Sequence, residues 1–312
     1  MEKSTFSNST FVRPATFYMS GFYDFPHGTY LYIFMCFVYV TTVFGNVSLL
    51  LMILMYRALH TPKYMIVFNL ALTDLCGSTS LIPKLLDTLL FENRYISYEL
   101  CLSYMFFVMF FSSLQSWTLA TMACDRFVAI CFPLHYHRVI TKSSVFWLLL
   151  FVWLLCLCIM GTIVVLVDRL SFCQSVVVQS FFCDHETMYR IACNSASVNA
   201  QFVLFGGVVV IIIPLTVILC SYMSIAVVLK RASLADSLKA LRTCSAHLIL
   251  VAIFFIPLIG ARTAATLPNS NPNIRMINFM LTYTIPSLLN PFVYSLKTEE
   301  MLTLIKNLYV KC

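Results

Sequence analysis

Asp125 and Arg126 stand side by side in the run Met122-Ala-Cys-Asp125-Arg126-Phe127-Val-Ala-Ile-Cys131, at the end of a long stretch without charge. An acid and a base so placed can hold an ion pair that is later released, and ionisable groups at membrane depth are costly enough to mark functional sites. The bland alternative is an interfacial arginine that snorkels out of a helix end. Asp74 lies inside another apolar run, where an ionised carboxylate costs several kcal/mol unless it is paired or protonated. Arg262, near the outer end of an apolar segment, is either a snorkelling anchor or a bidentate partner for a carboxylate. Catalysis finds no footing: His247 is far along the chain from Asp74, and there is no second acid, Ser-His pair or metal cluster at catalytic spacing. Cys183, His185 and Cys193 match no standard zinc spacing.

The elements that must position these residues follow from composition. A chain of 312 residues that is 60% hydrophobic and 11% charged, with a mean hydropathy of +0.88, has too few polar side chains to cover a soluble globule of its size. Crossing about 30 Å of hydrocarbon takes about 20 apolar residues. The stretches that qualify are Tyr30 to Tyr56, Tyr64 to Pro83, Leu100 to Cys124, Val145 to Val167, Val198 to Leu229, Thr243 to Ala261 and Met276 to Leu296. Backbone groups in lipid must bond within the chain, and the period-2 alternation of a membrane barrel is missing. The predicted fold is an all-α seven-transmembrane helix bundle. Residues 1–29 form an extracellular segment, 30–296 the membrane domain, and 297–312 a short cytoplasmic tail with an amphipathic helix.

Orientation comes from charge. With the N-terminus outside, the cytoplasmic segments hold Arg57, Lys63, Arg126, Arg138, Lys142, Lys230, Arg231, Lys239, Arg242, Lys297, Lys306 and Lys311 against Asp125, Asp236, Glu299 and Glu300. The exterior is near balance, which fits the positive-inside rule. The net charge of +7 then faces anionic membrane lipid, and no nucleic-acid partner is needed to account for it. Asn8-Ser9-Thr10 is a glycosylation sequon on the outer side. Residues 1–25 lack the apolar core and cleavage site of a signal peptide, so the first span is expected to direct insertion. Cys101, Cys173, Cys183 and Cys193 fall outside, where oxidation is permitted, and four cysteines allow three pairings. Pro214, Pro257 and Pro286 interrupt predicted spans and permit kinks.

These motifs carry a family likeness. The segments Gly45-Asn46, Leu59-His-Thr-Pro-Lys-Tyr64, Leu72-Thr-Asp74, Met122 to Cys131, Ser221-Tyr222, Lys239-Ala-Leu-Arg242-Thr-Cys-Ser-Ala-His247 and Pro286-Ser-Leu-Leu-Asn290-Pro291-Phe-Val-Tyr294 occur in order, each on its expected span. From Gly45 to about Lys297 the chain resembles an odorant receptor of the rhodopsin-like G-protein-coupled class. Ile256-Pro-Leu-Ile-Gly260 and Cys183-Asp-His-Glu186 resemble the class I, fish-like branch. Departures are Cys124 and Phe127 where the family usually has Tyr, Lys63 for Met, Phe255 for Tyr, and Gln115 where relatives often carry Glu.

The resemblance implies disulfides Cys101–Cys183 and Cys173–Cys193, which staple the second extracellular loop into a lid. It implies an Asp125 that restrains Arg126 at rest, with Tyr222 and Tyr294 reaching Arg126 once helices move, and with Asn290 and Pro291 in the same switch. Lys230, Arg231, Lys239 and Arg242 border a heterotrimeric G protein of the stimulatory olfactory type, acting through cyclic AMP in the cilia of olfactory neurons. A small-molecule odorant is expected to meet Met105, Val108, Met109, Ser112 and Ser113, then Phe202 and Gly206, then Phe255, Leu258, Ile259 and Arg262, then Met280 and Tyr283. Met109 and Thr266 stand where some acid-sensing relatives use His and Arg, which leaves Arg262 to receive an acid. Asp74 near Asn46, Gln115 and Asn290 reads either as a neutral acid in a polar knot or as an allosteric sodium site; no other cofactor is expected. The rival readings are a non-olfactory receptor of the same fold, opposed by the lack of an aromatic-Trp-x-Pro run on the sixth span, and a transporter, opposed by the lone deep charge.

Overall fold

Hydrocarbon offers no hydrogen bonds, so each apolar segment closes its backbone on itself as a helix. The computed structural model describes residues 11–21, 28–91, 93–173, 175–231, 233–266 and 272–297. The bundle is built from α1 (Gly28–Met55), α2 (Pro62–Phe91), α3 (Tyr98–Cys131), α5 (Lys142–Asp168), α7 (Ser197–Gly207) continuing into α8 (Ile213–Leu229), α9 (Leu234–Thr266) and α10 (Pro272–Lys297). Short helices α4 (Tyr136–Val139) and α6 (His185–Arg190) lie in the cytoplasmic and extracellular loops between them. Among the described residues six spans are long and apolar enough to cross a membrane, namely α1, α2, α3, α5, α7 with α8, and Cys244–Ala261 of α9, and α10 completes the seven. Their outer faces carry exposed Phe44, Trp147, Phe151, Leu204 and Ile256, as a lipid-facing surface requires.

Helix ends differ from the sequence expectation for local reasons. α2 runs on past Pro83 to Phe91, because a proline removes a single helix bond and packed neighbours hold the remainder. α3 extends to Cys131 and so carries the whole Asp125-Arg126 segment as helix. α9 begins at Leu234, well before Thr243, since a helix continues past the bilayer wherever its sequence allows. At Val208–Ile212 a π-helical turn separates α7 from α8, a widening often found beside functional sites. The Ser116 hydroxyl on α3 donates to the Val210 carbonyl in that turn at 2.6 Å.

The all-α expectation needs one addition, a small extracellular sheet. β1 (Thr16–Met19) pairs antiparallel with β2 (Tyr95–Ser97), Phe17 opposite Ile96, and parallel with β3 (Val177–Val178), Tyr18 opposite Val177. Alternation explains why three residues suffice: Phe17 and Met19 point inward and are fully buried, while Tyr18 pairs edge-on with Tyr95. Phe17 stacks with Tyr98 and meets Phe172 edge-on. Arg13 pairs with Asp168 at 2.7 Å, and the Tyr98 hydroxyl donates to the same carboxylate at 3.1 Å. The chain ahead of the first span is thereby tied to both outer loops. Gly21 ends the strand where a Cβ would sit 2.7 Å from the Phe181 backbone.

The two exterior disulfides are Cys101–Cys183 and Cys173–Cys193, with Cα separations of 5.6 and 5.9 Å. Both cysteines of the zinc alternative are consumed by these bonds. Cys101 joins the outer end of α3 to the loop that precedes α6, which sets the lid directly over the bundle.

Gly45 lets α1 approach α10, for a Cβ there would lie 2.9 Å from Pro291 Cγ. Gly45→Val is expected to cost about 1–3 kcal/mol through overpacking, read as a lower Tm of the purified protein. Gly161→Ala, whose Cβ meets nothing within 4 Å, should leave Tm unchanged or raised.

Candidate functional site

Beneath the lid a cavity of about 60 Å³ opens between α3, α5, α7 and the outer parts of α9 and α10. Met109, Ser112, Ser113, Phe202, Gly206, Leu258 and Tyr283 line it, all of them residues expected from sequence. Met105, Val108, Phe255 and Met280 are instead buried in the cores, and Ile259 is exposed on the bundle surface. The backbone of Arg262 lies in α9, and its side chain is outside the described residues. Sequence reading missed the lid's contribution of Phe182, Asp184, His185 and Glu186, and that of Met160 and Ile163 on α5. The signal was present in Cys183-Asp-His-Glu186, since a residue next to a cysteine bonded to α3 must hang over the bundle.

Lid residues are held firmly. Asp184 caps α6 by accepting from the Thr187 amide at 2.9 Å. Glu186 accepts from Arg190 at 2.6 Å, and that carboxylate raises the Arg190 pKa above its already high value. The buried His185 ring meets the Asn199 amide at 3.1 Å, and Asn199 also donates to the Leu166 carbonyl at 3.1 Å. Ser113 donates to the Met109 carbonyl. A cavity with apolar walls and a few fixed polar groups suits a small, mostly apolar molecule. Gly206 is buried, yet a Cβ there would meet nothing within 4 Å, so the missing side chain is part of the space.

Below the cavity four helices converge on Asp74, which is fully buried. Its Oδ1 accepts from Gln115 Nε2 at 2.8 Å and from the Ser287 hydroxyl at 3.3 Å, and its Oδ2 accepts from Asn290 Nδ2 at 2.7 Å. Asn46 on α1 joins by donating to the Ser287 carbonyl at 3.1 Å. Burial without such donors would be prohibitive for an ionised acid. The donors are N–H and O–H groups, the set that suits an anion. Two buried oxygens of the kind that suits a cation have no hydrogen-bond partner among the described residues, Asn46 Oδ1 on α1 and Ser78 Oγ, about one turn along α2 from Asp74.

At the cytoplasmic end Asp125 is buried and accepts from the Tyr136 hydroxyl of α4 at 2.9 Å. Burial, then the Asp125 charge, push the Tyr136 phenol well above its ordinary pKa, so it stays a donor. Asp125 and Arg126 form no ion pair with each other in this arrangement, adjacent helical residues pointing to different faces. Arg126 is half-buried and makes no hydrogen bond or ion pair with a described residue. Tyr222 bonds His247 Nδ1 at 2.8 Å, and His247 Nε2 meets the Leu119 carbonyl at 3.1 Å. His247 thus ties α9 to both α3 and α8, a role that its sequence spacing did not suggest. The Tyr294 hydroxyl donates to Met122 Sδ at 3.0 Å. Neither tyrosine bonds Arg126. Asn8 and the tail from 298 onward lie outside the described residues, as do the side chains of Lys239 and Arg242.

Comparison with known proteins places this arrangement. The olfactory receptor family model matches residues 35–311. Olfactory receptor 1 of Rattus norvegicus is 34% identical over 88% of this chain and 87% of its own length. Olfactory receptor 1496 of Rattus norvegicus is 36% identical over 85% of each chain. Olfactory receptor 1E2 of Gorilla gorilla gorilla is 36% identical over 85% of this chain and 84% of its own.

Asn290→Ala removes one donor from a buried carboxylate and is expected to cost about 1–3 kcal/mol, seen as a fall in Tm. Asp74→Asn placed in the same protein should recover most of the loss, because a neutral amide asks less of its neighbours. An additive pair of losses would show that the two side chains do not act on each other.

Proposed function

The chain belongs to the olfactory receptor family, and from that premise we propose that it signals from the cilia of olfactory sensory neurons through a stimulatory olfactory G protein to cyclic AMP. It is an odorant-sensing G-protein-coupled receptor and a multi-pass membrane protein, not an enzyme. The observation that carries the proposal is the small cavity roofed by Phe182 and His185, on the opposite end of α3 from Arg126. A ligand seated there acts through its differential affinity for two arrangements of the helices. The cavity is walled by α3, α7 and α9 together, so a ligand that draws these helices inward above Pro257 levers α9 outward below it, a hinge motion of ordinary kind.

Outward movement of α9 has a defined first step. The bonds from His247 to Leu119 and Tyr222 break, and Tyr222 becomes available to Arg126. The cleft so opened is bordered by Lys230, Arg231, Lys239 and Arg242, charges that suit an acidic partner surface. Leu134, in a turn just after Arg126's helix, is 95% exposed, and an apolar side chain so displayed fits a contact with the G protein.

The ligand is a small, mostly apolar odorant, with Ser112 as a hydrogen-bonding anchor and Arg262 as the partner for any acid group. Asp74 with Ser287, Asn46 Oδ1 and Ser78 Oγ is the set that would hold an allosteric sodium ion. Such an ion would offset the carboxylate's charge, and Gln115 in place of an acid makes its hold weak.

Cyclic AMP in cells expressing the chain, screened against acids, amines, alcohols and steroids, tests the proposal. Arg126→Ala should abolish a response at unchanged surface expression, Gly206→Ala should weaken it by shrinking the cavity, and Arg262→Ala should affect acids alone. His247→Leu should raise the odorant-free signal, and replacing sodium by choline should raise it slightly. A response intact in Arg126→Ala, or a His247→Leu protein as quiet as the parent, would refute the switch.

A further inference from the structure

The roof of the odorant cavity is held by a side chain that stands outside the cavity. Phe182 lines the cavity from the lid and is fully buried. Its neighbour Cys183 is bonded to Cys101, and Tyr104 follows one turn along α3 on the same helical face. The disulfide therefore seats Phe182 against Tyr104: their ring centroids lie 6.3 Å apart and the rings meet edge-on at 89°. On its other side Phe182 meets Tyr283 of α10 edge-on at 5.5 Å. Phe181, at 5.0 Å from Phe182, is covered in turn by the end of β1 at Gly21. Tyr283 is a wall residue of the cavity and Tyr104 is not.

Ring packing alone does not fix Tyr104. The residue is buried, and a buried phenol must find a hydrogen-bond partner or forfeit the solvation of its hydroxyl. That hydroxyl donates to the Leu81 carbonyl of α2 at 2.8 Å. A helical carbonyl has a second lone pair to offer, so α2 stays intact as it accepts. A phenylalanine at this position would fill nearly the same space, and what the hydroxyl adds is direction: its end is held on α2 and the ring edge is aimed at Phe182. Resting on the reading of this cavity as the odorant site, we infer that Tyr104 is a positioning residue for ligand selection, one that sets the height of the roof through Phe182 and so decides how long a molecule the cavity accepts. A Phe182 ring braced on both Tyr104 and Tyr283 stops a chain sharply at one length. Braced on Tyr283 alone, the ring can tilt and admit the next homologue.

The test uses the full-length receptor in nanodiscs with the straight-chain alkanols from butanol to decanol as probes, their affinities read from the concentration dependence of Tm. Gly206→Trp, which fills the cavity, supplies the baseline for alkanol acting on the bilayer. The wild-type protein is expected to favour one chain length. Tyr104→Phe should lower the affinity ratio between that alkanol and the next longer one by about threefold to tenfold, the worth of one edge-on ring contact. Placed in Phe182→Leu, the same change should leave the ratio where Phe182→Leu alone puts it, while Tm still falls. A fall in Tm with the ratio intact in both backgrounds would make the hydroxyl merely structural and overturn the inference. So would an equal fall in the ratio with and without the Phe182 ring, because Tyr104 would then act by another route. Wild-type protein that behaves like Gly206→Trp toward every alkanol would refute the cavity as a ligand site and the inference with it. Binding is read here without a G protein, so a failure of coupling cannot be mistaken for any of these results.

Discussion

A carboxylate placed where water does not reach is the constraint from which the rest of this structure follows. Asp74 is tolerable at the centre of the bundle only because α3 and α10 supply it with three donors, and because α1 locks Ser287 by its carbonyl. Those bonds fix the register of four helices at one depth. They leave the odorant cavity above and the Arg126 region below on opposite sides of a common fulcrum. Removing one partner leaves an uncompensated buried group, whereas apolar contacts around it can slide at small cost.

Above the fulcrum the protein spends covalent bonds and a strand on rigidity. Cys101–Cys183 holds the lid to α3, and β1 threads Phe17 and Met19 between the two outer loops. The cavity wall is then free to vary on α7, where two glycines and a π-helical turn give space and a backbone carbonyl held by Ser116. Below the fulcrum the ties are weaker and of a kind that can be exchanged. A histidine between a carbonyl and a phenol, and a phenol on a thioether, lose little when they part. Rigid above and exchangeable below is the arrangement a receptor needs if ligand contacts are to become motion at the other end.

Much of this was legible in the residues. The seven spans, the orientation and the exterior placement of four cysteines follow from hydropathy and charge, because lipid punishes any other assignment. The polar knot was signalled by Asp74 being the lone acid within a span. Packing was less visible. Met105, Val108, Phe255 and Met280 share the helical side of true wall residues and differ from them only by which neighbour fills the space in front. Sequence spacing carries no record of that. His247 reads as an interfacial residue until α3 is seen to present the Leu119 carbonyl to it. The strand at Thr16–Met19 is too short to leave a periodic signal, and its partners are distant in the chain.

The central claim is that odorant binding parts α9 from α3 at the cytoplasmic end. Double electron–electron resonance can read it in a protein carrying Phe132→Cys and Leu241→Cys, both half-exposed positions, with the exposed Cys158 and Cys220 replaced by serine. A saturating odorant that raises cyclic AMP is predicted to shift the label pair toward longer separation. An unchanged distance distribution under the same odorant, with signalling intact, would contradict the account.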